Sequence, residues 1–271
     1  MGGNPHKTFK FKSFPKVDQL LERYFFITLI LSISIQTSID AQNPKREFRG
    51  VWIATVANID FPFHRGLSKS EFQKDWDDLV EFYDERNFNA LITQVRPVSD
   101  AFYPSKLAPW STYLTGKQGI HEDKFDPLEI MIESTHEKGL EFHAWLNPYR
   151  ATMIADTSNL HRMHPFSQHP EWAIQYGSRW YLNPSLPEVR NYITEIVEEL
   201  LLNYDVDAIH FDDYFYPYKI AGETFPDSAD FVKYGFGFYN IEDWRRHNTD
   251  KLIEQISKKI KAISPHVKFG I

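Results

Sequence analysis

Short apolar runs alternate along this chain with segments in which apolar residues recur every three or four positions. The apolar runs predict five strands, at residues 48–56, 90–95, 140–147, 207–212 and 267–271. The periodic segments predict four amphipathic helices, which begin near Ser68 and at Pro127, Pro187 and Ile241. Ser68 with Glu71 three residues later is typical of a helix capping box, and Gly139 marks the end of the second helix.

This order predicts an α/β fold with a parallel sheet, because apolar strands that alternate with helices pair through right-handed crossovers. The segments after the second, third and fourth strands are long, at 96–125, 148–187 and 213–240. Long loops at the carboxyl ends of strands are where a (β/α)8 TIM barrel forms its active site. A doubly wound open sheet shares part of the pattern, but no glycine-rich phosphate turn follows the first strand. We therefore predict a TIM barrel.

The barrel prediction has a consequence for chain length. A TIM barrel has eight strands, and the fifth predicted strand ends the sequence at Ile271. We therefore expect residues 42–271 to be the N-terminal part of a barrel that is incomplete after its fifth strand. Such a chain would expose unpaired strand edges and apolar surface, so we expect it to associate with itself and to be a poor enzyme.

Residues 1–41 are similar to an export signal. Five basic residues between Lys7 and Arg23 precede an apolar run at 24–35, and a polar exit ending at Asp40 and Ala41 follows. The run is short and contains Ser and Thr, which favours cleavage near Ala41 over a stable membrane span; the alternative is an uncleaved anchor. The sequence has no cysteine, which excludes disulfides and a lipid-modified cysteine. We expect an exported protein of a bacterial periplasm or cell surface.

Composition narrows the class of partner. The formal net charge is -7, and no basic stripe with interleaved aromatics lies outside the N-terminal segment, so we expect no nucleic-acid partner. Aromatic residues make up 16% of the chain, and many fall in predicted loops. Aromatic-rich loops suit a ligand that has apolar faces and a polar rim.

Two adjacent carboxylates, Asp212 and Asp213, end the fourth predicted strand. Acidic side chains at the tip of a buried strand are costly unless they meet water, substrate or a cation. The alternative is structural, with one Asp capping the loop and the other pairing with an arginine. Asp212 is in register with the strand tip and is our choice of principal catalytic carboxylate. Asp213 is the alternate, and Asp100 is a weaker candidate for the partner carboxylate.

The residues that follow the other predicted strands complete a candidate site at the carboxyl end of the predicted barrel. Polar side chains there are Asn58, Asp60, Arg96, Asn147 and Arg150. Carboxylates with an arginine and an asparagine match glycoside hydrolysis, in which one carboxyl protonates the leaving oxygen and another attacks or activates water. We expect Arg96 to keep a carboxylate ionised, and Asn147 and Arg150 to contact substrate. Aromatic faces for pyranose rings are offered by Trp110, Trp145, Tyr149, Tyr214 and Tyr216.

Other interpretations of these residues stay open. Arg96 before Pro97 can bridge strand tips, and Asn147 before Pro148 can be a turn residue. His143 and His210, inside strands, could join the two carboxylates in a zinc or manganese site. Their spacing is not diagnostic, and we predict neither a metal nor another cofactor.

Seven segments in one order carry a resemblance to a known family. They are FRGVWIATV at 48–56, QVRP at 94–97, YPS at 103–105, PWS at 109–111, HAWLNPYR at 143–150, FDDYFYP at 211–217 and DWRR at 243–246. From about Glu47 to Ile271 the chain resembles the bacterial glycosyl hydrolase-like 10 family, a group of exported barrel proteins. The resemblance implies a glycosidase-type (β/α)8 domain. The family pattern continues past the equivalent of Ile271, and lipoprotein members carry a lipid-attachment cysteine that this chain lacks.

At least one family member is similar to a cell-envelope enzyme that acts on peptidoglycan glycan strands stripped of their peptides. We therefore expect an exported glycoside hydrolase whose partner is a glycan, with peptidoglycan glycan as the first candidate substrate. The second hypothesis is a carbohydrate-binding protein on a degenerate barrel that has lost turnover, since fold does not imply function. The release of new reducing ends from glycan strands distinguishes the two.

Overall fold

The computed structural model describes residues 47–121 and 125–271, and the predicted signal at 1–41 lies outside them. Five of the described strands form one parallel sheet in the order β1-β2-β3-β6-β7. These are β1 (Gly50–Ile53), β2 (Ala90–Arg96), β3 (Glu141–Leu146), β6 (Ala208–Phe211) and β7 (Lys268–Gly270). An antiparallel hairpin of β4 (Ala173–Tyr176) and β5 (Arg179–Leu182) lies within the segment after β3.

Long helices connect successive strands of the sheet. They are α1 (Lys69–Asp84), α3 (Pro127–Glu137), α5 (Pro187–Asn203) and α7 (Ile241–Ile263). Shorter helices lie in the segments after strands, namely α2 (Thr112–Thr115), α4 (Pro165–Gln168) and α6 (Ser228–Tyr234), with 3-10 turns at Val56–Asn58 and Pro170–Trp172. Ser68 and Glu71 form a capping box at α1, and Asp126 accepts the first backbone N–H groups of α3.

The prediction of an α/β fold with a parallel sheet is confirmed. Pairing runs from Gly50 through Ala90 to Glu141, and from His143 through Ala208 to Lys268. The register of β2 against β3 shifts between Gln94 and Arg96. The first strand is shorter than predicted, because the chain turns at Ala57, whose φ of 55° is in the left-handed region. The hairpin and the shorter helices were not predicted.

The two faces of the sheet differ in what they contact. One face packs under the connecting helices, where Phe142, Leu146 and Phe211 are buried. The indole N–H of Trp76 on α1 donates to the carbonyl of Met131 on α3 at 3.0 Å, which satisfies a buried donor between these two helices. The core between the sheet and the helices therefore combines apolar packing with a hydrogen bond that links two of the helices.

The opposite face of the sheet is aromatic. The Trp52 ring lies edge-on to Trp145 at 4.7 Å and to His210 at 4.5 Å. At the other end of this face, Glu141 accepts from Lys268 at 2.6 Å and pairs with His143 at 2.9 Å. The Trp and His rings fill the space directly beneath the carboxyl edge of the sheet. Arg96, Asn147 and Asp212 lie at this edge, which we call the mouth.

Candidate active site

Asp212 and Asn147 meet at the mouth. The pairing of Trp145 with His210 in the register of β3 and β6 places the two residues side by side. The Nδ2 atom of Asn147 lies 2.8 Å from Oδ2 and 3.1 Å from Oδ1 of Asp212. The Oδ1 atom of Asn147 accepts the backbone N–H of Arg150 at 2.9 Å. Because that bond fixes the orientation of the amide, Asn147 can present only its NH2 group to the carboxylate.

Arg150 and Tyr214 enclose the other side of Asp212. The Arg150 guanidinium lies 4.7 Å from the centroid of the Tyr214 ring, a cation–π arrangement. The backbone N–H of Tyr214 donates to Oδ1 of Asp212 at 3.3 Å. The aromatic ring and the arginine therefore stand beside the same carboxylate.

The surroundings of Asp212 have two opposing effects on its pKa. Burial raises the pKa of Asp212, while the hydrogen bond from Asn147 and the charge of Arg150 favour the ionised form. The indole of Trp145 also favours the ionised form, although its N–H has no hydrogen-bond partner within the described residues. A half-buried carboxyl with donors on several sides is suited to a catalytic role.

Four residues predicted to contact substrate are instead buried, and among them Asn147 is 0% and Arg150 is 6% exposed. Arg96 is 1% exposed, and its Nη1 donates to the backbone carbonyl of Asn147 at 3.0 Å. Its guanidinium also faces the ring of Tyr192 at 5.7 Å. Tyr149 is 0% exposed, and burial raises the pKa of its hydroxyl. The structure thus places Arg96 beneath Asn147, in a position that supports the backbone at the tip of β3.

Asp100 lies away from solvent in the segment after β2. It is 0% exposed and accepts the backbone N–H groups of Val98 at 3.4 Å and Thr112 at 3.3 Å. Burial raises its pKa to about 6, against the opposing effect of Ser111, the two backbone donors and Arg96. These contacts tie two parts of one loop together and cap α2.

The remaining predicted residues lie farther from Asp212 or face outward. Asp213 is exposed and accepts a hydrogen bond from the hydroxyl of Tyr218. The Trp110 ring packs against His121 at 4.5 Å. The Tyr216 hydroxyl accepts from Asn248 on α7 at 3.2 Å. Asn58 and Asp60 hold the turn after β1, where Asp60 accepts the N–H of Ala54 at 2.8 Å and Asn58 donates to the carbonyls of Pro62 and Tyr113.

Two of the cavities in the described residues lie among the segments that follow the strands of the sheet. One of about 590 Å³ lies between the segments after β2 and β3, where Val98, Thr112 and Ala151 contribute to its wall. Another of about 580 Å³ lies between the hairpin, the segment after β6 and α7, and its wall includes Tyr216 and Arg245. Both volumes are in the range of small-molecule sites.

Side chains that could hold a metal do not gather in the parts of the chain that the structure describes. Within residues 47–121 and 125–271, no three His, Asp or Glu side chains are grouped as a metal site. Nε2 of His143 contacts Glu141, and His210 lies edge-on to Trp52 and stacks on His143. In the same ranges, no helix combines the length and the apolar character that a membrane crossing requires.

Sequence reasoning missed Ser99 and His164, two fully buried polar residues near the mouth. Nδ1 of His164 accepts the N–H of Phe166 at 3.1 Å and its Nε2 bonds the carbonyl of Ala151 at 3.1 Å. Burial lowers the pKa of His164 to about 4, so the ring is neutral at neutral pH. Its sequence signal was a histidine directly before a proline at the start of a helix, in the position of an N-cap.

Comparison with curated proteins gives close relatives. Glycosyl hydrolase YngK of Bacillus subtilis (strain 168) is 49% identical over 252 residues, which cover 91% of this chain and 49% of that protein. Glycosyl hydrolase DigH of Escherichia coli (strain K12) is 35% identical over 246 residues, which cover 85% of this chain and 56% of that protein. The chain therefore spans about half the length of the curated relatives it matches.

Comparison with solved structures shows the fold. The alpha-L-fucosidase isoenzyme 2 from Paenibacillus thiaminolyticus aligns with a TM-score of 0.55 at 15% identity, over 83% of this chain and 32% of its own. A GH20 exo beta-N-acetylglucosaminidase from Vibrio harveyi aligns with a TM-score of 0.52 at 11% identity, over 84% and 36%. The structural neighbours are TIM-barrel glycosidases.

The sequence pattern of one family covers all of the strands and helices described above. The match extends over residues 47–271 and carries the description glycosyl hydrolase-like 10. It includes Asn147, Arg150 and Asp212, which form the candidate site. This chain belongs to the glycosyl hydrolase-like 10 family.

Proposed function

We propose that this protein is an exported glycoside hydrolase that acts on a polysaccharide, with Asp212 as its principal catalytic carboxylate. The observation that carries the proposal is the half-buried carboxylate at the tip of β6, to which Asn147 donates at both oxygens and beside which Arg150 stands. The relatives named glycosyl hydrolases support the reaction class. The export signal predicted at 1–41 supports the location.

The contacts of Asp212 favour a particular role. Asn147, Arg150 and the N–H of Tyr214 all favour the ionised carboxylate, which is the form that a nucleophile or a general base requires. Burial has the largest effect and raises the pKa of Asp212 above its usual value. The groups that contact the carboxyl are nevertheless hydrogen-bond donors and a cation. On these contacts we assign Asp212 the attack on the anomeric carbon or the activation of water, and not the protonation of the leaving oxygen.

The other acidic candidates receive different roles. Asp100 has no exposed surface, so no substrate atom reaches it, and we assign it the holding of the loop after β2. Asp213 faces Tyr218 and solvent and is kept as the alternate to Asp212. We assign Arg96 the support of Asn147, and we assign Trp145 and Tyr214 the faces that contact sugar rings.

We propose a polymeric substrate because cavities occur in more than one of the long segments after the strands. One lies between the segments after β2 and β3, and another is lined by the segment after β6 and α7. Each is large enough for at least one pyranose ring. Peptidoglycan glycan is our first candidate because of the predicted export, and we propose that the parallel sheet is part of a (β/α)8 barrel.

The test is hydrolysis of defined glycans by the full-length protein. Peptidoglycan sacculi, peptide-free glycan strands and an unrelated polysaccharide are each incubated with the protein, and new reducing ends are measured. We expect products from the peptide-free strands. Binding without new reducing ends would favour a carbohydrate-binding protein, and products from the unrelated polysaccharide alone would remove peptidoglycan as substrate while leaving the hydrolase proposal standing.

A further inference from the structure

Ser99 is an unusual residue in the loop after β2. It is 0% exposed, and its φ of 59° lies in the left-handed region. A residue other than glycine is strained there, and such strain persists only where the surrounding contacts hold the residue in place. Strained residues are concentrated at functional sites.

The hydroxyl of Ser99 begins a chain of hydrogen bonds that ends at Asp212. It donates to the backbone carbonyl of Arg150 at 3.1 Å. The backbone N–H of Arg150 donates to Oδ1 of Asn147 at 2.9 Å. The amide of Asn147 donates to Asp212 at 2.8 Å. The first two bonds are made by the two peptide groups on either side of the Arg150 Cα, so the backbone of Arg150 links the loop after β2 to Asn147 and, through Asn147, to the tip of β6.

The position of Arg150 decides two properties of Asp212. Its backbone orients the amide of Asn147, and its guanidinium, 4.7 Å from the Tyr214 ring, supplies a positive charge that opposes the rise in the pKa of Asp212 caused by burial. Arg150 is itself influenced by Asp212 and Tyr214, and by Arg179 and Tyr181 on β5. A shift of the Arg150 backbone would therefore change both the orientation of the Asn147 amide and the positive charge near Asp212.

We propose that Ser99 is a positioning residue, whose hydroxyl binds the carbonyl of Arg150, fixes the backbone of that residue and thereby holds Asn147 and the Arg150 guanidinium at Asp212. The catalytic consequence of this inference rests on the proposed function, whereas the structural link to Asp212 does not. A residue that merely filled space in the loop would have no effect on Asp212.

Two substitutions distinguish the effect of the Ser99 hydroxyl from the effect of its strained backbone. Ser99→Ala removes the hydroxyl and keeps the strained backbone, whereas Ser99→Gly removes the hydroxyl and relieves the strain. Asn87→Gly is the matched control, because Asn87 has the same φ of 59° in the turn after α1, where its side chain is exposed. Asp212→Asn assigns the carboxyl signal of Asp212 in carbon-13 NMR spectra of protein labelled at aspartate.

The first measurement is the pKa of Asp212 in each full-length protein. We expect both Ser99 variants to raise the pKa of Asp212 by about 0.5 or more, because the charge of Arg150 moves away. Asn87→Gly should leave it unchanged. Ser99→Gly should melt no lower than Ser99→Ala, so that a change at Asp212 cannot be ascribed to unfolding. If Ser99→Ala does not fold, Ser99→Gly decides alone.

The second measurement is turnover on the glycan that the wild type hydrolyses. We expect kcat to fall by about tenfold or more in both Ser99 variants, with KM within about twofold of wild type. An unchanged pKa of Asp212 in both variants overturns the positioning role. A raised pKa in a protein that hydrolyses no glycan, wild type included, would uphold the positioning role and reject the proposed function.

Discussion

Asp100 and Asp212 both follow a strand of the sheet, yet the chain surrounds them in different ways. Asp100 accepts backbone N–H groups from its own loop and has no exposed surface. Asp212 accepts from the side chain of Asn147, which belongs to a different strand, and it remains partly exposed at the mouth. Burial raises the pKa of both carboxyls.

The comparison shows that a perturbed pKa is not sufficient to identify a catalytic group. Local backbone donors around Asp100 stabilise a loop. The side chains of Asn147 and Arg150 beside Asp212 come from the segment after β3, whereas the N–H of Tyr214 belongs to the same loop as Asp212. Asp212 also stays partly exposed. The candidate catalytic residue is distinguished from the structural one by its side-chain partners from the segment after a neighbouring strand and by its partial exposure, more than by its pKa.

The largest expected effect is on turnover. Asp212→Asn in the full-length protein should lower turnover at least about a hundredfold while glycan binding stays largely intact, because the carboxylate is lost and the shape is kept. Initial rates and equilibrium binding measure the two effects. Asp213→Asn is the control, and it should stay within about threefold of wild type. The reverse result, with Asp213→Asn inactive and Asp212→Asn active, would show that our choice within the pair is wrong.

The next effect is on stability. Asp100→Ala should lower the free energy of unfolding by about 2 kcal/mol, because it leaves the N–H groups of Val98 and Thr112 buried without an acceptor. Urea denaturation measures it. Asp78→Ala on the exposed face of α1, which removes a surface pair with Lys74, should change stability little. Equal values for the two variants would contradict the structural role of Asp100.

A third effect depends on pH. Because the folded-state pKa of Asp100 is raised to about 6, its contribution to stability is fully present below about pH 4 and is lost as the pH rises through about 6. Compared with Asp100→Asn, the wild type should therefore gain about 1 to 3 kcal/mol of stability between pH 7 and pH 4. Urea titrations at the two pH values measure the gain, and a constant difference would argue against the raised pKa.

The change in stability with pH that we expect from His164 is opposite in sign to that expected from Asp100, in nearly the same pH range. Its folded-state pKa is lowered to about 4, so its contribution to stability is present above about pH 6.5 and is lost as the pH falls through about 4. Relative to His164→Gln, the wild type should lose stability between pH 7 and pH 4. The same titrations measure it, and a gain would show that His164 is charged in the folded protein.

The smallest expected effect is that of a chelator. We expect EDTA to leave glycan hydrolysis unchanged, because the proposed reaction uses carboxyl groups and no metal ion. Rates before and after dialysis against EDTA test this, with a known zinc enzyme as the positive control. A loss of activity that zinc or manganese restores would return His143 and His210 to consideration as ligands.

Much of the fold could be predicted because the signals are local. The capping box at Ser68 and the Asp126 cap followed by Pro127 each marked a helix start that the structure has. The hairpin was missed although two aromatic-rich runs flank Gly177 and Ser178, a turn pattern that favours hairpins. The run of alternating residues is only four long on each side, which is too short for periodicity to identify.

The site could be predicted in part. The rule that parallel strands end at one edge brought Asp212, Asn147, Arg150 and Tyr214 together, and the structure has them in contact. The burial of Arg96, Tyr149 and Asp100 depends on how the long segments cross over the mouth, and such long-range packing has no local sequence signal. The catalytic roles stay predictions.

The hairpin has a consequence for how this protein can change. Backbone bonds join Leu182 to Tyr149, and both Ala151 and Thr152 to Trp180, so the stretch beside Arg150 is fastened at both ends. The entropy of closing a loop grows only slowly with its length, so insertions in the exposed part of this segment, at residues 154–159, would cost little stability. That part of the chain is therefore free to diverge and to alter which ligand the mouth admits, while the peptide that holds Asp212 keeps its place.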